Sequence, residues 1–355
     1  MRYRYLCIME PTIIMKPTKE IVKNKKGEAK MKKRERVIAA IEQKEVDGIP
    51  SSFSLHFPAG KKTGDAAVEA HLKFFEETDM DIVKIMNEYR LPVKGMLRTP
   101  QEYYEAIPMD YRHSEFFRSQ IEMTKKIMDR ADHDAFSMGT LHGIWSTSFQ
   151  PFMCMGSGYI PEEARQMQID FMRWNESKML DVMERISDGL CDMAAAYIKE
   201  AGLEAVYYSS QGGPARGFTD EEFARWIKPY DLKVMKAIKD AGGYCVLHIC
   251  QSDVDMNRYT EEYAELADVV NWGVYDVPMS LEDGRKHFKN KTVFGGLANH
   301  SGVLVNGTEE DVRKEVRQIV EKIGRTGFIL GADCTLSSNQ NMALLKTAID
   351  EARKL

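Results

Sequence analysis

The chain has 355 residues, of which 43% are hydrophobic and 29% are charged, a composition typical of a soluble globular protein with a sizeable core. Its net charge of −5 at pH 7 argues against nucleic acid or an anionic membrane as the main partner, so we expect small ligands. No apolar run approaches the roughly 18 residues of a membrane span, and no signal-type segment opens the chain. We therefore expect no membrane span and a cytoplasmic location.

Residues 1–30 differ from the rest of the chain. They show no helical or strand periodicity and contain a basic run near their end, so we expect a poorly ordered N-terminal extension. The segment KKRERVIAAIEQKEVDGIP then predicts a helix with Val37, Ile38 and Ile41 on one face, followed by a strand. We predict a single domain over residues 31–355.

From residue 49 onward, short β-rich runs alternate with longer helical stretches, a pattern typical of a parallel α/β fold. The eight predicted strands cover residues 49–56, 81–87, 135–143, 205–211, 244–250, 269–274, 292–298 and 328–334. Capping residues three positions before an acid mark four helix starts, at Thr99, Thr219, Ser280 and Thr308. Together these features predict a (β/α)8 TIM barrel with helical insertions, the largest of them in residues 143–205, where it could cover the mouth of the barrel.

Six cysteines are scattered along the chain, too few for a disulfide framework in a protein of this length. They are Cys7, Cys154, Cys191, Cys245, Cys250 and Cys334. This usage favours a reducing compartment in which the thiols are free or bind a metal.

Two predicted strands end in side chains that suit a soft metal. The run GYCVLHIC ends in His248 and Cys250, which point to the same side of an extended strand, and the run GFILGADC ends in Cys334. An imidazole and two thiols suit zinc and leave a fourth position open, as in catalytic zinc sites. Packing and hydrogen bonding would explain the His248 and Cys250 pair alone, but a second strand-end cysteine in a barrel favours a metal.

Other polar side chains follow the predicted strands, at the end of the barrel where functional groups gather. His142 is a candidate fourth ligand or general acid, and Glu88 is a candidate for orienting the metal-bound histidine, so we take both as candidate catalytic residues. The candidate substrate- or cofactor-binding residues are His56, Asn87, Ser210, Gln211, Asn299 and His300. Hydrogen bonding within the barrel wall, a turn or a helix cap is the alternative role for such residues.

Residues from about Met31 to Leu355 resemble the uroporphyrinogen decarboxylase superfamily. The resemblance is carried by KKRERVIAAIEQKEVDGIP, DIVKIMNEYR, GFTDEEFARWIKPY, GGLANHSGVLVNGTEEDV and GADCTLSSNQNMALLKTAIDEARK. It implies a (β/α)8 barrel, in agreement with the strand count. The decarboxylases carry an arginine-rich motif just after the first strand, whereas the corresponding stretch here, SSFSLHFPAGKKTG, contains no arginine.

The chain is more similar to the corrinoid-dependent methyltransferase branch, which includes methylcobamide:coenzyme M methyltransferases. The zinc motif of that branch, H-x-C and then a distant C, is matched by His248, Cys250 and Cys334. This resemblance implies Zn²⁺ and methyl transfer between a corrinoid and a thiol or a methylated small molecule. Because the chain lacks a corrinoid-binding D-x-H-x-x-G motif, we expect a corrinoid protein as partner. The alternatives are a metal-free decarboxylase and a non-catalytic barrel that binds a corrinoid or tetrapyrrole.

Overall fold

The computed structural model describes residues 30–91, 93, 95–154, 160–214 and 216–355. The expected N-terminal extension therefore lies almost entirely outside the described residues. Residues 32–355 form one compact unit. Within the described part of the chain, no helix has the length and apolar character needed to cross a membrane.

Seven parallel strands of the described residues form one sheet, and each strand pairs with its neighbours in chain order. They are Ile82–Ile85 (β1), Phe136–His142 (β2), Ala205–Ser210 (β3), Tyr244–Ile249 (β4), Val269–Trp272 (β5), Thr292–Leu297 (β6) and Phe328–Ala332 (β7). Nearly every strand residue is buried, as expected for parallel strands covered by helices on one side and packed into a barrel on the other. Seven of the eight predicted strands are thus present.

Residues 49–56, the first predicted strand, do not form a regular strand. They form only isolated β-bridges, which corrects the predicted strand count. Ser51 pairs in parallel with Leu330, and Leu55 pairs with Leu336. On its other side, the Ser51 carbonyl accepts a hydrogen bond of 3.1 Å from the backbone N–H of Asp81, just before β1. The segment therefore joins β7 to β1 and closes the barrel, which confirms the (β/α)8 fold.

Residues 49–56 do not form a continuous strand because their backbone groups are not all free to pair with a neighbouring strand. Pro50 has no N–H to donate. The N–H of Ser51 bonds to the Asp81 carboxylate at 3.1 Å instead of to a neighbouring strand. The regular ladder is therefore interrupted on the side that faces β1.

Fourteen α-helices of the described residues surround or cap the sheet. They are Lys33–Ile41 (α1), Gly64–Thr78 (α2), Pro100–Ala106 (α3), Glu115–Met128 (α4), Ile144–Cys154 (α5), Pro161–Trp174 (α6), Glu176–Lys199 (α7), Asp220–Trp226 (α8), Lys228–Asp240 (α9), Glu261–Leu266 (α10), Leu281–His287 (α11), Val303–Asn306 (α12), Glu309–Ile323 (α13) and Met342–Ala352 (α14), with a 3₁₀ turn at Met256–Arg258. The side chains of Thr99, Thr219, Ser280 and Thr308 each accept the N–H three residues later, which confirms the four predicted helix starts. Helices α5, α6 and α7 form the predicted insertion between β2 and β3.

Because all strands run in the same direction, their carboxyl ends lie at one rim of the barrel. The candidate residues predicted from the sequence lie at or just after these strand ends. What distinguishes them is whether each side chain points into the barrel, towards the surrounding helices or into solvent.

Candidate metal centre

Three side chains at the carboxyl ends of β4 and β7 lie together. The donor atoms of His248, Cys250 and Cys334 all lie within 4.8 Å of one another. The Sγ atoms of the two cysteines are 3.9 Å apart, and Cys334 Sγ lies 3.5 Å from His248 Nε2. Among the described residues, no second group of histidine, cysteine and acidic side chains has a comparable arrangement. These three residues are called the His/Cys trio below.

The spacing of the trio fits a tetrahedral zinc site. Zn–S bonds of about 2.3 Å and a Zn–N bond of about 2.0 Å, at tetrahedral angles, separate two sulfurs by about 3.8 Å and a sulfur from a nitrogen by about 3.6 Å. The two observed separations, 3.9 and 3.5 Å, agree with these values. One imidazole and two thiols also form a ligand set that zinc prefers. The residues present therefore fit this metal.

Strand register directs the histidine of the trio into the barrel. His248 pairs with Ser209 on β3 and with Asn271 on β5, so these three side chains lie at the same level. His248 is only 2% exposed, whereas both cysteines of the trio are partly exposed. The trio therefore combines a buried anchor with two sulfurs that reach the mouth of the barrel.

The pKa values of the two thiols of the trio are shifted in opposite directions. A hydrogen bond donated by Cys250 lowers the pKa of Cys334 well below that of an ordinary thiol, against the effect of burial, and His248 lowers it further. The same contact raises the pKa of Cys250. Cys334 is thus the thiolate of the pair, the form that binds metals.

The buried lysine that lies below the trio was not predicted as a site residue from the sequence. Lys84 lies on β1 and is 3% exposed. Its Nζ donates to Ser54 Oγ at 3.1 Å and lies 3.4 Å from the centroid of the Tyr207 ring. Burial lowers the pKa of Lys84 to about 7, although the thiols of the trio oppose this effect. The only sequence signal is a single charge within the apolar strand IVKI.

Tyr207 connects this lysine to the trio. Its ring stacks on His248 with the ring centroids 4.9 Å apart, and its hydroxyl donates to Asn271 Oδ1 at 2.7 Å. Asn271 Nδ2 in turn donates to the carbonyl of Phe294 at 2.7 Å. Gly295 leaves room for this amide, since a Cβ there would lie 3.0 Å from Asn271 Nδ2. Its φ of +140° also favours glycine.

The candidates at the ends of β1 and β2 form a second cluster. His142 Nε2 bonds to the carbonyl of Asn87 at 2.9 Å, and Glu88 bonds to His56 Nδ1 at 3.0 Å. Burial lowers the pKa of His142. Burial opposes the ionisation of Glu88, but His56 and Lys62 hold the pKa of this carboxyl below its usual value. The cluster therefore pairs a neutral histidine with an ionised carboxylate.

Glu88 does not make the predicted contact with the histidine of the trio. The Nδ1 atom of His248 is buried and has no hydrogen-bond partner among the described residues. The stacked ring of Tyr207 orients the imidazole instead. His142 Nδ1 is likewise buried, and no described residue offers it a hydrogen bond.

The remaining candidates lie in different places. Ser210 is fully buried on the outer face of β3, where its hydroxyl donates to Asp231 at 2.9 Å, so it does not join the trio. Asn299 is buried and donates to the carbonyl of Thr335 at 3.4 Å. His300 is exposed. Gln211 lines a cavity at the mouth of the barrel.

That cavity has a volume of about 470 Å³ and opens beside the trio. Gln251 lines it and places its Nε2 4.0 Å from Cys250 Sγ. Helix α6 of the insertion supplies Arg165 and Ile169 to its wall. The guanidinium of Arg165 lies 4.9 Å from the Phe149 ring centroid, and its Nε is buried with no hydrogen-bond partner in the described part of the chain. The insertion therefore covers part of the barrel mouth, as the sequence predicted.

Comparisons with solved structures support the fold. A methyltransferase from Methanosarcina mazei is similar, with a TM-score of 0.67 and 12% identity, and the alignment covers 91% of this chain and 98% of that one. A B12-independent methionine synthase from Shewanella sp. W3-18-1, in complex with selenomethionine, has a TM-score of 0.56 and 12% identity, with 86% of this chain and 97% of that one covered. At such identities the likeness concerns the fold alone.

A comparison with curated proteins finds no match. The family model that matches is described as uroporphyrinogen decarboxylase (URO-D), and it covers residues 93–355. This range includes β2 to β7, the insertion and all three residues of the trio. The chain belongs to the uroporphyrinogen decarboxylase family.

Proposed function

We propose that this protein is a zinc-dependent methyltransferase that moves a methyl group between a corrinoid and a thiol or a methylated small molecule. The observation that carries this proposal is the spacing of the His/Cys trio, 3.9 Å between the sulfurs and 3.5 Å from sulfur to nitrogen. Two structures with the same fold are named as a methyltransferase and a methionine synthase, which is consistent with methyl transfer on this scaffold.

Each residue of the trio would have a distinct part in holding the metal. His248 supplies Nε2 from a ring that Tyr207 holds in place. Cys334 supplies a thiolate, and Cys250 supplies a second one after it loses its proton. When bound, zinc lowers the pKa of a coordinated substrate thiol and keeps it as a nucleophilic thiolate.

In the thiol-methylating direction, the substrate sulfur attacks the methyl carbon. A carbon–sulfur bond forms while the bond between the methyl carbon and its donor breaks. The donor leaves with the electron pair, so a methyl-Co(III) corrinoid becomes Co(I), and the thiol proton is released to solvent. The reverse reaction would demethylate the small molecule.

The cavity beside Cys250 is the proposed position of the small substrate. Trp145, Ile169 and Phe218 give it an apolar wall that would exclude water from the reacting sulfur. Arg165 and Gln211 add polar groups, and Arg165 Nε and Gln211 Oε1 both lack hydrogen-bond partners among the described residues. A small molecule with an apolar methylated end and a polar end suits this lining.

The decarboxylase that gives the family its name is supported less well by this chain. A porphyrinogen decarboxylase needs several cationic groups to hold the carboxylates of its substrate. Residues 51–64 contain no arginine, and Lys62 lies 3.7 Å from Glu88. Two thiols beside a buried histidine have no part in such a reaction.

A direct assay tests the proposed function. The zinc-loaded full-length protein is incubated with methylcobalamin and a panel of small thiols, while cobalt absorbance and methyl thioether formation are followed. We expect transfer by the wild type and by Cys191→Ala, which removes a thiol remote from the trio, but not by Cys250→Ala or Cys334→Ala. Activity that survives loss of either cysteine of the trio would contradict the proposal.

The same assay separates the possible methyl donors. One similar structure is named as B12-independent, so the fold is compatible with donors other than a corrinoid. If the zinc-loaded protein leaves methylcobalamin unchanged with every thiol, also when a corrinoid protein carries the methyl group, the corrinoid part of the proposal is wrong. The zinc part is judged separately, from metal content.

A further inference from the structure

Lys84 is a buried amine without an acidic partner among the described residues. Its side chain is 3% exposed, and its hydrogen bond goes to the neutral hydroxyl of Ser54 at 3.1 Å. The groups that favour its protonated form are the sulfur of Cys334 first and that of Cys250 second, and no described carboxylate is among them. Buried lysines are normally paired, because an ammonium loses its hydration in the interior. A fold that needed only packing here would place an apolar residue on β1.

The position of Lys84 relates it to the trio. Its Nζ lies 3.4 Å from the centroid of the Tyr207 ring, and the same ring stacks on His248. The Tyr207 hydroxyl is held by Asn271 at 2.7 Å, so the ring has a fixed place inside the barrel. Lys84 is thus one aromatic ring away from the imidazole of the trio.

The charge of the site provides a reason for this cation. Two cysteine thiolates neutralise a divalent metal ion, and a neutral imidazole leaves the balance unchanged. A third thiolate, supplied by a substrate, gives the site a net negative charge in a poorly hydrated interior. A single ammonium nearby restores neutrality and stabilises the anionic ligand.

We propose that Lys84 is the counter-charge for an anionic fourth ligand of the metal centre, and that this position therefore takes a substrate thiolate in preference to a neutral ligand. This inference rests on the proposed function, because it requires a metal held by the trio. Lys84 is a positioning residue in this account, since it acts on the substrate across the ring of Tyr207.

Binding of two probe ligands tests the proposal. The zinc of the full-length protein is replaced by Co²⁺, and 2-mercaptoethanol, which binds as a thiolate, or neutral imidazole is titrated at a fixed pH while the cobalt spectrum is followed. For Lys84→Met we expect about tenfold or greater loss of affinity for 2-mercaptoethanol, with imidazole binding unchanged. Lys84→Gln, which keeps a hydrogen-bonding group near Ser54, should lose thiol affinity in the same way.

A matched control is Lys178→Met. Lys178 also lies over a tyrosine ring, 4.2 Å from the centroid of Tyr104, but it is on α7 and more exposed. We expect this variant to bind both probes as the wild type does. Equal loss of both probes in the Lys84 variants would overturn the proposal, because it would indicate a general structural role. Unchanged thiol affinity would overturn it too and leave the proposed function intact, whereas wild-type protein that binds no metal would overturn both.

Discussion

The imidazole of His248 is stacked on the phenol ring of Tyr207, with centroids 4.9 Å apart and an angle of 23° between the planes. Because the imidazole Nδ1 has no hydrogen-bond partner among the described residues, the ring is oriented by this stack and by the contact of its Nε2 with Cys334 Sγ. Most metal-binding histidines are oriented by a hydrogen bond to the second nitrogen. Here the orientation depends on an aromatic residue one layer lower in the barrel.

Changes at Tyr207 should therefore affect metal binding. Tyr207→Ala removes the stacked ring, and we expect the affinity for zinc to fall about tenfold or more, as with other groups that orient metal ligands. Tyr207→Phe keeps the ring, so zinc affinity should be nearly unchanged. Stability should still fall by about 1–3 kcal/mol, because buried Asn271 Oδ1 loses its donor. Chelator competition and urea unfolding measure the two effects, and equal zinc affinity in Tyr207→Ala would contradict this account of the stack.

Gly295 should be needed for the same network. Gly295→Ala places a Cβ 3.0 Å from Asn271 Nδ2 at a φ of +140°, so we expect a loss of stability and weaker zinc binding. Gly324→Ala is the control, because its φ is +80° but a Cβ there meets nothing within 4 Å. The control should lose about 1–3 kcal/mol of stability from backbone strain alone and keep its zinc affinity. Zinc affinities that change equally in both variants would show that Asn271 is not involved.

The buried histidine on α2 should make stability depend on pH. His71 Nδ1 donates to the carbonyl of Ala67 at 2.7 Å, and its Nε2 accepts from the N–H of Met86 at 3.0 Å, so the ring is neutral. Burial lowers the pKa of His71 to about 4 from the ordinary 6.5. Protonation would break the bond to Met86, which holds the chain next to Asn87 and Glu88.

The lowered pKa of His71 determines in which direction stability changes with pH. The unfolded chain binds the proton first as pH falls, so the contribution of neutral His71 to stability is complete above pH 6.5 and is lost between about 6.5 and 4. We expect wild-type stability to fall more steeply over this range than that of His71→Gln, in urea unfolding at a series of pH values. Parallel pH profiles of the two proteins would show that His71 does not titrate in this way.

The direction in which the Ser210 side chain points could not be predicted from the sequence. Successive strand residues point to opposite sides, and the pairing of Ser209 with His248 directs Ser209 into the barrel and Ser210 outwards. The sequence SSQ contains no mark of this register. We predict that Ser210→Ala lowers stability by about 1–2 kcal/mol, because Asp231 loses a donor, without a change in the proposed methyl transfer. Loss of activity at unchanged stability would contradict this placement.

The strands and helix starts were predictable because their signals are local. Apolar runs marked the strands, and Thr219 and Thr308 show the caps in their own sequence. The grouping of the His/Cys trio was predictable because chemistry restricts which residues could bind zinc, and these three residues stand at strand ends. The weak first strand was not, since its interruption depends on the carboxylate of Asp81, thirty positions from Ser51.

The residues below the trio could not be predicted for a related reason. Lys84, Tyr207 and Asn271 come from three different strands, and their contacts depend on the register of all strands between them. A lysine on a strand ordinarily faces solvent, so the residue type alone would wrongly place Lys84 at the surface. Only the closed barrel brings it next to an aromatic ring that also contacts the histidine.

The zinc content of the purified full-length chain tests the central claim most directly. Wild-type protein and Cys191→Ala, dialysed against a weak chelator, are compared with Cys334→Ala by elemental analysis. We predict one zinc ion per chain in the first two and little or none in Cys334→Ala, because it loses the thiolate of the trio. Zinc-free wild-type protein, or full zinc content in Cys334→Ala, would contradict the assignment of this site.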